Sequence, residues 1–575
     1  MTGISRYFAA LVLATGVLTG RADACSNVIV SRGASADGSC MISYAADSHS
    51  LFGELYFHKA GRFKAGSTLD IIEWDTARPL GSISQVPRTW QTVGNMNERQ
   101  LIIGETTYGG REELVDTTGI MDYGSLIYIT LQRASTAREA IQTIVALADE
   151  YGYPSEGETF SIADPREAWV MDLIGKGPDN KGIVWVARRV PDGYICAHAN
   201  QSRITRFPLD DPDNCLYAPD VISFAREKGY FSGEDAEFSF RDAYNPLDFS
   251  GARACEARAW SAFNILGEGT FTYVNDKGEE VSEPSSKWLD LVMGYDLAGE
   301  MPLFIKPARP VSVKDVADVM RDHFEGTPMD MTIDIGAGGN ALPYRWRPMS
   351  FEWEGHRYVN ERAIATQQTG FWFVAQSRGD LPDILGGLIW FGCDDAATSY
   401  LTPVYVNITE VPKCLKVGNG DILHYSPTAT FWLCNRVAND CYKMYNHMAP
   451  FVRAAADKFE NHQMTVAVPD NDKKLLKWAL RMDKHPRRYA RRIRKALTKF
   501  TVGTAQRQFE TWAEMERTLM VKFIDGNVKA QNEDGSFKHS QYSEGIPEEL
   551  GWPGYTDVWK AAVAGDPHAK VLMEK

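Results

Sequence analysis

Residues 25–47, CSNVIVSRGASADGSCMISYAAD, restrict the fold more than any other stretch. SNVIV is a β-branched run, which suits a pleated strand. RGASADGS carries the turn pair Asp37-Gly38, and CMISYAAD returns as a second strand. The pattern predicts a hairpin folded near residue 36, with Cys25 opposite residues 47–48. Facing residues of an antiparallel pair lie about 5 Å apart. Local geometry alone therefore brings Asp47 toward Cys25.

The segment before Cys25 has the marks of a signal peptide. Arg6 supplies positive charge, YFAALVLATGVL is apolar but too short to span a bilayer, and Ala22-Asp23-Ala24 fits small-x-small cleavage. The expectation is a leader over residues 1–24, export to the periplasm or the extracellular space, and a mature chain beginning at Cys25. No later run approaches 18 apolar residues, so no membrane partner is expected after cleavage. A net charge of −14 offers no basic footprint for nucleic acid. Fifteen Trp and 24 Tyr in 575 residues point to an ordered chain with a large core.

Further along, helical and strand patterns occur in separate runs, which predicts an α+β fold rather than a parallel sheet. A helix is expected after Thr136, with Glu139 as its capping-box partner and Gly152 at its end. A meander follows, from TFSIADPREAWVMDL to GIVWVARRVPDGYICAHANQSRI, turned by Asp-Pro and Pro-Asp-Gly. Around 305–350 the pattern loosens, and IGAGGNALPYRWRP reads as a loop. TGFWFVAQSRG and GGLIWFGCDDA read as core strands, and the chain turns helical beyond about 425. In RRYARRIRKALTKF, Tyr489, Ile493, Leu497 and Phe500 form one stripe, as in a surface helix docked along one face. The division expected is 25–345 for the main catalytic body and 346–575 for its remainder plus a helical C-terminal region.

Three roles are open to Cys25. It is a lipid anchor, a structural cysteine (disulfide-bonded or buried), or a nucleophile created by removal of the leader. The other eight cysteines are even in number, and export permits disulfides, but spacing gives no pairing. Asp23 suits a lipoprotein site poorly. The third role has a direct chemical logic. A thiol is mostly protonated at neutral pH, whereas a free α-amine titrates near 7.7–8.0. An N-terminal cysteine carries both, so its amine is able to take its own thiol proton. In the uncleaved chain that nitrogen is a non-basic amide. A papain-like pairing with His49 or His198 is the weaker option, because no papain-type signature surrounds Cys25.

The stretch CSNVIVSRGASADGSCMISYAADSH resembles the start of the PepD-like dipeptidases, a family of cysteine Ntn-hydrolases distantly related to bile-salt hydrolases and penicillin V acylases. VGNMNERQLIIGETTYGGREE, YGYPSEGETFSIADPREAWVMDLIGKG and VWVARRVPDGYICAHANQSRI resemble that family in the same order. The resemblance implies an Ntn-hydrolase αββα sandwich with a mainly helical C-terminal extension. It implies Cys25 as nucleophile, Asp47 beside its amine, Asn200 at the oxyanion, Thr107 or Thr106 near an oxyanion-hole position, and Arg258 as an active-site arginine. The acylases place Arg-Asn where this chain has Tyr44-Ala45, so the arginine that tunes their thiol is missing from its usual place. Each residue also has a structural alternative: turn capping for Asp47, a turn or glycan for Asn200, strand packing for Thr107, and a helix surface for Arg258.

The function expected is that of an exported cysteine dipeptidase acting through a thioester on Cys25, with no metal and no cofactor. Its partners would be small peptide substrates, with a homo-oligomer left open. Acidic groups such as Glu105 and cations such as Arg203 or Arg258 would meet the two ends of a zwitterionic dipeptide. The alternatives are a secreted amidase acting on bile salts or N-acyl amines, and a non-catalytic binding protein.

Overall fold

A computed structural model describes residues 25–566. The leader expected over 1–24 lies outside the described residues. Two antiparallel sheets face each other. The six-stranded sheet runs Ile195–His198, Asn27–Val30, Cys40–Asp47, Thr369–Ser377, Gly387–Cys393, Thr402–Tyr405 in spatial order. The eight-stranded sheet runs Cys215–Tyr217, Ile183–Arg189, Ala168–Gly175, Gly157–Ala163, Ile102–Tyr108, Met96–Asn97, Thr92–Val93, Phe57–His58.

The sheets approach each other closely at Gly104. A methyl group there would come within 2.9 Å of the Asn27 amide, 3.3 Å of Ile42 and 3.5 Å of Tyr44. Helices cover both outer faces. Tyr123–Arg133 and Ala137–Tyr151 bury Leu126, Ile141 and Ile144 against Ile103, Phe160, Ile162 and Trp169 of the eight-stranded sheet. Ala257–Leu266, Val313–Val319 and Pro486–Phe523 pack on the six-stranded sheet. The α+β class and the helical C-terminal region are therefore present.

The first hairpin forms where expected. Ile29 pairs with Ile42 and Ser26 bridges to Ala45, so Cys25 falls opposite Ala46, one residue before Asp47. The meander also forms, but Pro191–Gly193 carries the chain from one sheet to the other. The strand Thr369–Ser377 is buried along its whole length at the centre of its sheet. Three strands after residue 345 thus complete the sheet that Cys25 begins. The stripe on Pro486–Phe523 docks as expected, with Ile493 and Leu497 buried.

Several details differ from the sequence reading. Thr136 caps its helix by accepting from Glu139 N, but the Glu139 carboxylate reaches back to Ser135 N (2.8 Å) and Ser135 Oγ (2.6 Å) rather than to Thr136. Within the loosely patterned 305–350 region a helix forms at Val313–Val319, closed by reciprocal bonds between Ser312 and Asp315. Three of its seven residues are valine, a weak helix former. It is held by burial of Val313, Val316 and Val319 instead. All nine cysteines are buried and unpaired. Among the described residues no helix is long and apolar enough to cross a membrane.

Candidate active site

Cys25 sits at the open end of the first strand, where ladder pairing ends and side chains take over. Its backbone N–H donates to Asn200 Oδ1 at 3.0 Å. Asn200 follows the strand Ile195–His198, which pairs with Asn27–Val30 in the register Asn27 to His198. The sheet itself therefore aligns residue 200 with residue 25. The Asn200 amide nitrogen donates to the Thr107 carbonyl at 2.6 Å.

Arg258 ties these groups together from the helix Ala257–Leu266. It is 2% exposed. Nη1 donates to Cys25 O (2.6 Å) and Ser26 Oγ (2.9 Å), Nη2 to Asn200 Oδ1 (2.8 Å), and Nε to Ala254 O (2.6 Å). Burial, with the nearby Arg362 charge, lowers its pKa to about 10, so the guanidinium stays charged at neutral pH.

Asp47 lies at a strand irregularity between Ala46 and Asp47. Its carboxylate accepts from Arg362 Nη2 (2.6 Å) and Thr369 Oγ1 (2.6 Å). Burial raises its pKa, and the Arg362 charge opposes that shift. The Asp47 backbone N–H faces the thiol.

The sulfur is nearly buried. It lies 3.6 Å from Glu105 Oε1 and 3.8 Å from Tyr44 Oη, and Tyr44 donates to the same Oε1 through a short bond. Burial pushes the Cys25 pKa well above the ordinary thiol value, and the charges of Glu105 and Asp47 add to it. The Asp47 N–H and the Tyr44 hydroxyl act in the opposite sense. Tyr44 thus places a hydroxyl beside the sulfur.

The structure brings Cys25, Asp47, Asn200 and Arg258 into one connected group, with Thr107 joined through its carbonyl. The Thr107 hydroxyl instead donates to Glu158 Oε1 at 2.5 Å. Glu105, expected on a substrate wall, lies against the sulfur. Arg203 does not join the group. Its Nε bonds Glu256 at 2.9 and 3.1 Å, Nη1 bonds Ala197 O, and Nη2 bonds Pro302 O. With its side chain 2% exposed, Arg203 braces the loop after Asn200 instead of facing substrate. His198 is spent between the sheets, with Thr106 Oγ1 at 2.8 Å and Ser161 Oγ at 2.6 Å, and burial lowers its pKa to about 3. Arg362, Thr369 and Glu158 are site residues that the sequence reading missed. Arg362 and Thr369 lie more than 300 residues from Asp47, and no short motif links them.

A buried thiol held between a charged arginine network and a carboxyl group defines a cysteine peptidase when set beside the known proteins this chain resembles. The model of peptidase family C69 matches residues 61–458, and the chain belongs to that family. The matched span includes Glu105, Asn200, Arg258 and Arg362 and begins after Cys25 and Asp47. The chain is 24% identical to a probable dipeptidase of Salmonella dublin over 422 residues, covering 70% of this chain and 85% of that protein. It is 22% identical to probable dipeptidase B of Lactococcus lactis subsp. lactis over 432 residues, covering 72% and 80%. With dipeptidase A of Lactobacillus helveticus it shares 22% over 321 residues, covering 55% and 57%.

Proposed function

We propose that the active enzyme begins at Cys25 and is an exported N-terminal-nucleophile dipeptidase with an Ntn-hydrolase sandwich. The observation that carries this reading is the treatment of the Cys25 nitrogen. It is held by a side chain, Asn200 Oδ1, whose other donor is Arg258. Once the bond to residue 24 is cut, that nitrogen becomes an amine attached to the same residue as the thiol.

In the proposed reaction the Cys25 amine takes the thiol proton, and the sulfur attacks the scissile carbonyl. The new S–C bond pushes the carbonyl electrons onto oxygen. The Asn200 amide stabilises that oxyanion, a contribution of about 2.7–4 kcal/mol for one well-placed donor. The amine then protonates the leaving nitrogen as the C–N bond breaks. Water cleaves the resulting thioester on Cys25 and regenerates the thiol. Arg258 positions Asn200 and the Cys25 carbonyl, and Asp47 with Arg362 anchors the N–H that faces the sulfur.

The dipeptide assignment is supported by the names of the relatives. A hydrolysis screen tests it with free dipeptides, tripeptides and N-acyl amides offered to protein whose N-terminus is Cys25. Dipeptides are expected to give the highest kcat/KM. A clear preference for N-acyl amides would replace this reading with that of an amidase.

A further inference from the structure

The proposed reaction leaves two buried carboxyl groups without a task. Glu105 is 1% exposed and Glu158 is fully buried. Thr107 pairs with Glu158 across neighbouring strands. Glu105 precedes Thr107 by two residues and shares its face. The two carboxyl groups consequently meet in hydrogen-bond contact.

Their oxygens divide in an informative way. Glu105 Oε1 accepts from Tyr44 and from the Cys25 thiol, and Glu158 Oε1 accepts from Thr107. The other oxygen of each, Oε2, is buried with no donor among the described residues. Ionised carboxylates only accept hydrogen bonds. Two that touch must therefore hold a proton between them, because like charges at this range do not both ionise. A backbone clamp keeps Glu105 in place. In the amide orientation that suits its surroundings, Asn27 donates to Glu105 O (3.1 Å) and accepts from Glu105 N (3.2 Å) across the two sheets.

Resting on the reading of Cys25 as nucleophile, we propose that Glu105 is an electrostatic gate for that nucleophile: Cys25 forms its thiolate readily only while Glu105 holds the proton that it shares with Glu158. A negative charge 3.6 Å from the sulfur opposes a second one. With Glu105 neutral that opposition disappears, and the Tyr44 hydroxyl remains beside the sulfur to receive the thiolate. The proton leaving the thiol goes to the Cys25 amine. The proton of the carboxyl pair stays where it is throughout.

The groups facing Glu105 are Cys25 with its amine and Tyr44 from the first hairpin, Glu158 from the next strand, Asp75 from the loop after Thr68–Ile72, and Tyr123 and Tyr128 from the covering helix. Asp47 also faces the thiol. The nearby cations, Arg258 and Arg362, are bonded to Cys25 O, Ser26, Asn200 and Asp47. The acidic neighbours favour a retained proton. Burial raises the Glu105 pKa to about 7 against the opposing hydrogen bonds of Tyr44, Glu158 and Cys25, so the gate closes as pH climbs past neutrality.

The test is alkylation of Cys25 by iodoacetamide, followed from pH 5.5 to 9 without substrate and read by peptide mass. The enzymes compared are wild type, Glu105→Gln and Glu158→Gln. Glu105→Gln never takes a charge, and its alkylation at pH 8 is expected to be about tenfold faster, a one-unit drop in thiol pKa. Glu158→Gln offers an N–H to Glu105 Oε2 and favours the Glu105 carboxylate. Its alkylation at pH 7 is expected to be slower than wild type. The two variants must move in opposite directions. An unchanged or slower rate in Glu105→Gln overturns the proposal. If that variant does not fold, a rate in Glu158→Gln equal to or above wild type overturns it instead. Alkylation needs no substrate, so the dipeptidase reading stands or falls separately, on hydrolysis by wild type and Cys25→Ala.

Discussion

Asn200→Ala is the substitution that separates chemistry from support. In the fold, Asn200 Oδ1 accepts from the Cys25 nitrogen and from Arg258, and Nδ2 donates to Thr107 O. Removing the amide leaves Arg258 Nη2 without that acceptor in a buried site. An unmet buried donor costs about 1–3 kcal/mol, so a moderate loss of stability is expected. Arg258 keeps three other acceptors, Cys25 O, Ser26 Oγ and Ala254 O, which argues against unfolding. In catalysis the loss is larger. Losing one oxyanion donor lowers kcat about 10²–10³-fold, or about 2.7–4 kcal/mol, while KM changes little because the interaction matures only in the transition state. The assay is steady-state dipeptide hydrolysis beside a denaturant melt of the same preparation. A folded Asn200→Ala enzyme whose kcat stays within about fivefold of wild type would refute the role given to Asn200.

Three further outcomes are expected. Cys25→Ala should abolish hydrolysis and retain the fold, and activity in that variant would move the nucleophile elsewhere. Arg203→Ala should destabilise by about 3–5 kcal/mol, because it strands buried Glu256, yet leave the preference for free over C-terminally amidated dipeptides intact. Loss of that preference in a folded variant would return Arg203 to the substrate site. Stability should also depend on pH through Glu105. Its folded pKa of about 7 exceeds the usual carboxylate value, so the folded state holds a proton that the unfolded chain has released between about pH 4.5 and 7. Stability then falls across that window as pH rises. Equilibrium denaturation at pH 5 and 8 measures it, and a Glu105→Gln variant should show a flatter dependence.

Local sequence carried the first part of the site. A β-branched run, a turn and a return strand were enough to bring Asp47 beside Cys25, with the register off by about one residue. Asn200, Thr107 and Arg258 became visible only through the family resemblance, because their distances from Cys25 along the chain exceed any local rule. The misplacement of Arg203 has the same origin. Its partner Glu256 is 53 residues away, and an arginine three positions after Asn200 looks free until the fold supplies that carboxylate. Glu105 was singled out for its charge, but its pairing with Glu158 depends on strand register, which motif order does not reveal. The helix at Val313–Val319 was hidden because tertiary burial, not helical propensity, holds its valines.

The central claim is that the Cys25 nitrogen does chemistry only as a free amine. The most direct measurement compares kcat of protein beginning at Cys25 with that of protein beginning at Ala24, each verified by intact mass and by a matching melt. The account predicts turnover in the first and none above background in the second, because an amide nitrogen cannot take the thiol proton. Comparable turnover from the Ala24-Cys25 protein would contradict it.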